Sequence, residues 1–183
     1  MINRRSVMKI GAAAVAGAIM APALARSVFQ RAVFDERFGE CRAFATELHV
    51  AGVFTSAIRG DVADLWYGDL RAHLSENRLP IAGLTDRAAL FCLEELARDV
   101  GMRVIFRADH IVDQNGYTRH TAVGPSSLVG AVHNLPPEAD FGRAIAGLLT
   151  QFDSSESASA AAQKRTGPFS AGNKTTLVSW IIS

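Results

Sequence analysis

Cysteine is almost absent from this chain. Cys41 and Cys92 are the only two, and neither has a histidine or a second cysteine at metal-ligand spacing. That excludes a zinc ribbon and a disulfide framework. Both fall on apolar faces of expected helices, which leaves two buried small hydrophobes or a single Cys41–Cys92 bridge. The five histidines (His49, His73, His110, His120 and His133) show no ligand spacing either, so no metal site is expected. An excess of charge of one sign is also missing: the formal charge is +1. This argues against nucleic acid, which requires a clustered basic face. Gly39, Gly52, Gly60 and Gly83 do not assemble into a phosphate-cradling loop, and Gly124-Pro125-Ser126-Ser127 lacks the surroundings of a nucleophile elbow. The latter reads as a turn into a helix. No cofactor motif and no internal repeat is present.

Long apolar runs are scarce too. The one notable uncharged stretch, Ile10 to Ala21, is shorter than the roughly twenty residues a membrane span needs. It follows Asn3-Arg4-Arg5-Ser6-Val7-Met8-Lys9 and precedes Pro22-Ala23-Leu24-Ala25. A basic start, a short apolar segment and small residues at a cleavage position make an export signal. With its paired arginines, residues 1–25 resemble a twin-arginine (Tat) signal peptide. Asn3 and Val7 stand where the usual pattern has Ser or Thr and Phe. The resemblance implies engagement of the Tat translocase, cleavage near Arg26 and a periplasmic location. It also implies export in the folded state, a route used by proteins that carry a cofactor or a partner. Losing residues 1–25 removes three basic residues and no acidic one, so residues 26–183 carry a formal charge of −2.

Those 158 residues are one domain of ordinary size. Val28 to Phe34 is β-branched and aromatic and reads as a strand. Cys41, Phe44, Ala45, Leu48 and Ala51 recur at helical spacing, with Gly52 as a stop. Val53 to Ile58 reads as a second strand. Asp61 is placed to cap a helix whose stripe is Val62, Leu65, Trp66, Leu70 and Leu74. Pro80 to Leu84 is a short buried strand. Thr85-Asp86 then caps the strongest helix, with Ala89, Leu90, Leu93, Leu96, Ala97 and Val100 on one face. Met102 to Phe106 is a fourth strand. This alternation predicts crossover units on a parallel sheet. The pattern then changes. Asn115-Gly116 signals a two-residue hairpin near 104–123, in which His110 would lie opposite Thr121 and His120 would face the other way. Pro136-Pro137-Glu138 announces a last helix. Residues 153–173 are rich in Ser, Ala and Gly and read as a mobile loop, while Thr175 to Ile182 is apolar enough to be a strand inserted into the sheet. The expected fold is therefore three-layer α/β, mainly parallel, with added antiparallel strands.

In such a sheet, ligands bind beyond the carboxyl ends of the strands. The first four strands are expected to end at Asp35-Glu36-Arg37, Arg59-Gly60-Asp61, Gly83 to Asp86 and Arg107 to His110. The candidate ligand-binding residues are thus Asp35, Arg37, Arg59, Asp61, Thr85, Asp86, Arg107 and His110. Arginines offer forked hydrogen bonds to carboxylate or phosphate, and helix N-termini favour anions. Helix caps and ion pairs within the cluster are the rival use of the same residues. Three functions fit: an exported accessory or binding protein that accompanies a periplasmic enzyme, a binder of a small anionic ligand, or an enzyme using the acidic residues or His110 as acid or base.

Overall fold

The computed structural model describes residues 28–135, 141–155, 159–165 and 174–183. The expected export signal and the expected helix start at Pro136-Pro137-Glu138 lie outside them. The order of elements is β1 (Arg31–Asp35), α1 (Gly39–Val50), β2 (Phe54–Ile58), α2 (Ala63–Leu65), a π-helical turn (Trp66–Leu70), α3 (Arg71–Asn77), β3 (Ile81–Asp86), α4 (Arg87–Arg98), β4 (Val104–Asp113), β5 (Thr118–Pro125), α5 (Ser126–Val132), α6 (Phe141–Leu149), β6 (Ser159–Arg165) and β7 (Lys174–Ile182). They build one seven-stranded sheet in the order β2-β1-β3-β7-β4-β5-β6.

β1, β2 and β3 are parallel. β7 enters between β3 and β4 and runs antiparallel to both. β4, β5 and β6 continue as an antiparallel meander. The expected α/β fold is what the chain adopts, and its final strand is indeed inserted, at the centre of the sheet. A central strand is buried on both faces and so reads as a continuous apolar run instead of alternating. That is the character of Leu177 to Ile182, all buried, including Ser179.

Strand alternation sends side chains to two cores. On one face Ala32, Leu84, Phe106, Ala108, Ala122 and Ile181 pack with Phe44 and Leu48 of α1, Leu128 and Val132 of α5, and Phe141 and Ile145 of α6. On the other, Val33, Ile81, Val178, Trp180 and Ile182 pack with Trp66, Leu70 and Leu74 of the helical run and Leu90 and Leu93 of α4. The π turn fits this packing, since Trp66, Leu70 and Leu74 all reach the core around it. Gly83 is fixed by the second core: a Cβ there would fall inside the Trp180 indole.

Three expectations are corrected. β4 does not end near Phe106 but runs to Asp113, so Arg107 and His110 lie within a strand and not in a loop after it. The hairpin is not the two-residue type. Asp113 N–H donates to Tyr117 O at 3.0 Å, Gly116 N–H donates to Asp113 O at 3.0 Å, and Gly116 has φ +80. This is a three-residue connection closed by a left-handed glycine. The Asp113 carboxylate sets it by accepting from the N–H groups of Asn115 (2.9 Å) and Tyr117 (3.0 Å). The pairing shifts by one residue, so His110 lies opposite His120 on the same face and Asp109 lies opposite Thr121. Finally, part of the segment read as a loop is structured: Ser159–Arg165 forms edge strand β6 against β5.

Candidate functional site

The loops after β1, β2 and β3 meet at one edge of the sheet. Asp35, the last residue of β1, is fully buried. The chain turns at once, and Arg37 folds back over it. Arg37 Nε donates to Asp35 Oδ1 at 2.9 Å and Nη2 donates to Asp35 Oδ2 at 2.5 Å, a forked pair. The same Nη2 reaches Asp86 Oδ2 at 2.5 Å. Asp86 ends β3 and caps α4, its Oδ1 accepting from Ala89 N–H at 2.8 Å. Gly60 closes the arrangement from the loop after β2. It sits at φ +88, and a Cβ there would lie 2.7 Å from Arg37 Nη2, so the guanidinium rests on the glycine backbone. Donating hydrogen bonds to Asp35 and then Asp86 pushes the Arg37 pKa further up, and the group stays charged.

This cluster holds one cation between two carboxylates. Its charge excess is negative, and Arg37 already has the partners an incoming anion would supply. The other candidates also have occupations. Arg59 pairs with Glu36 on the surface, with its side chain 82% exposed. Asp61 accepts from Ala63 N–H at 2.8 Å, as a helix-entry cap. Thr85 is buried and accepts from Trp180 Nε1 at 3.1 Å. Arg107 stands apart from Arg37 and Arg59. It leaves the sheet on the α4 side and pairs with Asp109, which also holds Arg87.

His110 belongs to the opposite core. Its Nδ1 lies 2.7 Å from His120 Nδ1, and its Nε2 lies 2.8 Å from Ser179 Oγ. Phe141 covers both rings at centroid distances of 5.2 and 5.8 Å. Both histidines are fully buried, and His120 Nε2 has no partner among the described residues. Burial pushes His110 well below the usual histidine range, with His120 adding to it. Burial, then Lys164 on the neighbouring strand, pushes His120 down to about 4. Both rings are therefore neutral at pH 7, and one donates to the other along the Nδ1–Nδ1 line. The pair is buried and suits a packing role.

The cysteines part company. Cys41 is buried beside the Asp35 backbone, with its thiol pushed up to about 12 by burial, whereas Cys92 is exposed on α4. No bridge joins them. Among the described residues no histidine, cysteine and carboxylate group is arranged to hold a metal ion, and no helix is long and apolar enough to cross a membrane.

Sequence reasoning missed Arg87, Phe91 and His120. Arg87 and Phe91 face away from the buried stripe of α4, where solvated residues are the ordinary case. Their meeting with Arg107 depends on the full length of β4.

Comparison with known proteins adds no relative: no protein-family model, curated protein or solved structure matches this chain.

Proposed function

We propose that this is an accessory or binding protein, exported to the periplasm by the twin-arginine route, that meets its partner through the uncovered side of strands β4 to β6. The observation that carries the reading is a layer left incomplete among the described residues. On one side, Thr118, His120 and Ala122 of β5 are buried beneath α5 and α6. On the other, α4 packs over β3 and β7, and Thr121 and Val123 of β5 are exposed together with Ala161 and Gln163 of β6. Val123 is 56% exposed, and Phe91 at the adjoining rim of α4 is 63% exposed. A half-sheet with apolar and small residues facing water marks an interaction surface. The export signal supports the same reading, since that route carries folded proteins with companions aboard.

An acid–base enzyme at the strand edge draws less support, because Asp35, Asp61 and Asp86 already serve as ion-pair partners or caps and His110 is sealed in the core. The test is co-purification from periplasm of the wild type and Val123→Asp. The expected result is a companion protein lost from the variant while its melting temperature stays unchanged. A companion retained in full by Val123→Asp would overturn the surface assignment.

A further inference from the structure

Arg107 and Arg87 form a cluster of opposite balance to the one around Arg37. Arg107 Nη2 lies 3.2 Å from Asp109 Oδ1, and Arg87 Nη2 lies 3.0 Å from that same oxygen. Two guanidinium groups thus share one carboxylate oxygen, with side chains 38% and 59% exposed. Each retains donors that only water can satisfy within this cluster. Beside them opens a groove of about 360 Å³ lined by Arg87, Ala88, Phe91, Glu94 and Arg107. Glu94, the acid on that wall, is engaged by Arg98 Nη2 at 2.9 Å. Arg98 divides itself between Glu94 and Glu95, so Arg87 and Arg107 stand against Asp109 and a Glu94 that is half neutralised. Its other feature is the Phe91 ring, 63% exposed at the edge of the same groove.

We propose that this groove binds a monoanionic carboxylate attached to a flat apolar group. The carboxylate takes the free edges of Arg87 and Arg107, and the apolar part lies against Phe91 and Ala88. The nearby carboxylates favour the monoanion: a phosphate dianion brings a second negative charge against Asp109 and Glu94. Guanidinium geometry matches a planar carboxylate in forked hydrogen bonds. A neutral amide of the same shape offers the two cations nothing better than water. A free organic acid and the terminal carboxylate of a peptide present this same chemistry. The groove shares Phe91 with the rim of the proposed partner face, so its binding is read in the purified protein, where no partner covers it.

The test is titration of the purified protein with 3-phenylpropionate, 3-phenylpropionamide and phenyl phosphate, followed by calorimetry or amide chemical shifts. A peptide ending in a free Phe carboxylate and its amidated form run alongside. The acid is expected to saturate with a dissociation constant on the order of 1 mM, in keeping with its size, and its amide to bind at least about tenfold more weakly. Arg107→Gln should weaken the acid about tenfold, and Phe91→Ala, at an exposed position, several-fold. Asp109→Asn removes one of the nearby carboxylates and should shift preference towards phenyl phosphate. Saturation by the free acid alone identifies a small-molecule ligand, and saturation by the peptide acid alone identifies a chain terminus. Equal binding of acids and amides, no binding by either acid, or affinities unmoved by Arg107→Gln and Phe91→Ala would overturn the proposal.

Discussion

At the scale of single residues, charge in this protein is used mainly to hold loops in place, and the two arginines of the strand edge do so unequally. Arg37 neutralises Asp35, which has no solvent exposure, and ties it to the cap of α4. Arg59 meets Glu36 in water. Removing one partner of a buried pair strands the other, whereas an exposed pair contributes little. Arg37→Ala should therefore cost about 3 kcal/mol, the low end for breaking a buried pair, because the Arg37 side chain is itself 43% exposed and water can replace part of it. Arg59→Ala should leave stability unchanged within error. Urea titration of both variants checks the contrast, and equal losses would show that Asp35 does not depend on Arg37. Part of this was legible: the strand ends at Asp35 and Asp86 follow from β-branched runs giving way to charge. What a sequence does not display is pairing. Whether Arg37 waits for a ligand or grips Asp35 depends on a two-residue turn and on the open space above Gly60.

At the scale of elements, the β4–β5 hairpin sets a pH dependence. Its register puts His110 against His120 inside a core. Both pKa values are depressed in the fold, from an ordinary value of 6.5 to about 4 for His120 and well below the ordinary value for His110. The unfolded chain then takes up protons that the folded chain refuses, so the stabilisation is complete above pH 6.5 and falls as the pH drops towards 4. Each histidine adds at most about 1.4 kcal/mol per pH unit in that window. The expected outcome is a steep loss of stability between pH 6 and 4.5, flattened in the double variant His110→Leu, His120→Leu. Equal slopes in the two proteins would show that the pair titrates as if exposed. The strong helices and the final strand were legible because apolar periodicity or a continuous apolar run declares them. The hairpin register was not, because two hydrogen bonds to the Asp113 carboxylate override the preference of Asn115-Gly116 for a tighter turn. In the sequence β4 reads as stopping early because Arg107 and Asp109 point away from the core of α1, α5 and α6, to a side where charge is tolerated in mid-strand. β6 was missed because Ser159 to Arg165 has no alternating apolar pattern. Its place as an edge strand comes from β5 alone.

At the scale of the molecule, the sheet is completed by β7, which lies between β3 and β4. β7 joins the parallel half, β2-β1-β3, to the meander β4-β5-β6. Truncation after Asn173 removes the hydrogen-bond partner of both β3 and β4 and unseats Trp180 from its place under Gly83. An unpaired pair of central strands cannot be repaired by water within a core. Loss of cooperative unfolding is the expected outcome in calorimetry, and a truncated protein with an unchanged melting temperature would contradict the central role of β7. The same architecture explains why one half-sheet stays open. α4 follows β3 and packs over β3 and β7, while α5 and α6, the described helices after β5, lie on the opposite side. The account rests on that opening being the surface that meets a partner. Its most direct test is a photo-crosslinking residue placed at Val123 on the open face and, as control, at Val50 on α1, which is 74% exposed. The account expects a discrete adduct in the periplasm from position 123 and none from position 50. Adducts from both positions alike, or from position 50 alone, would contradict it.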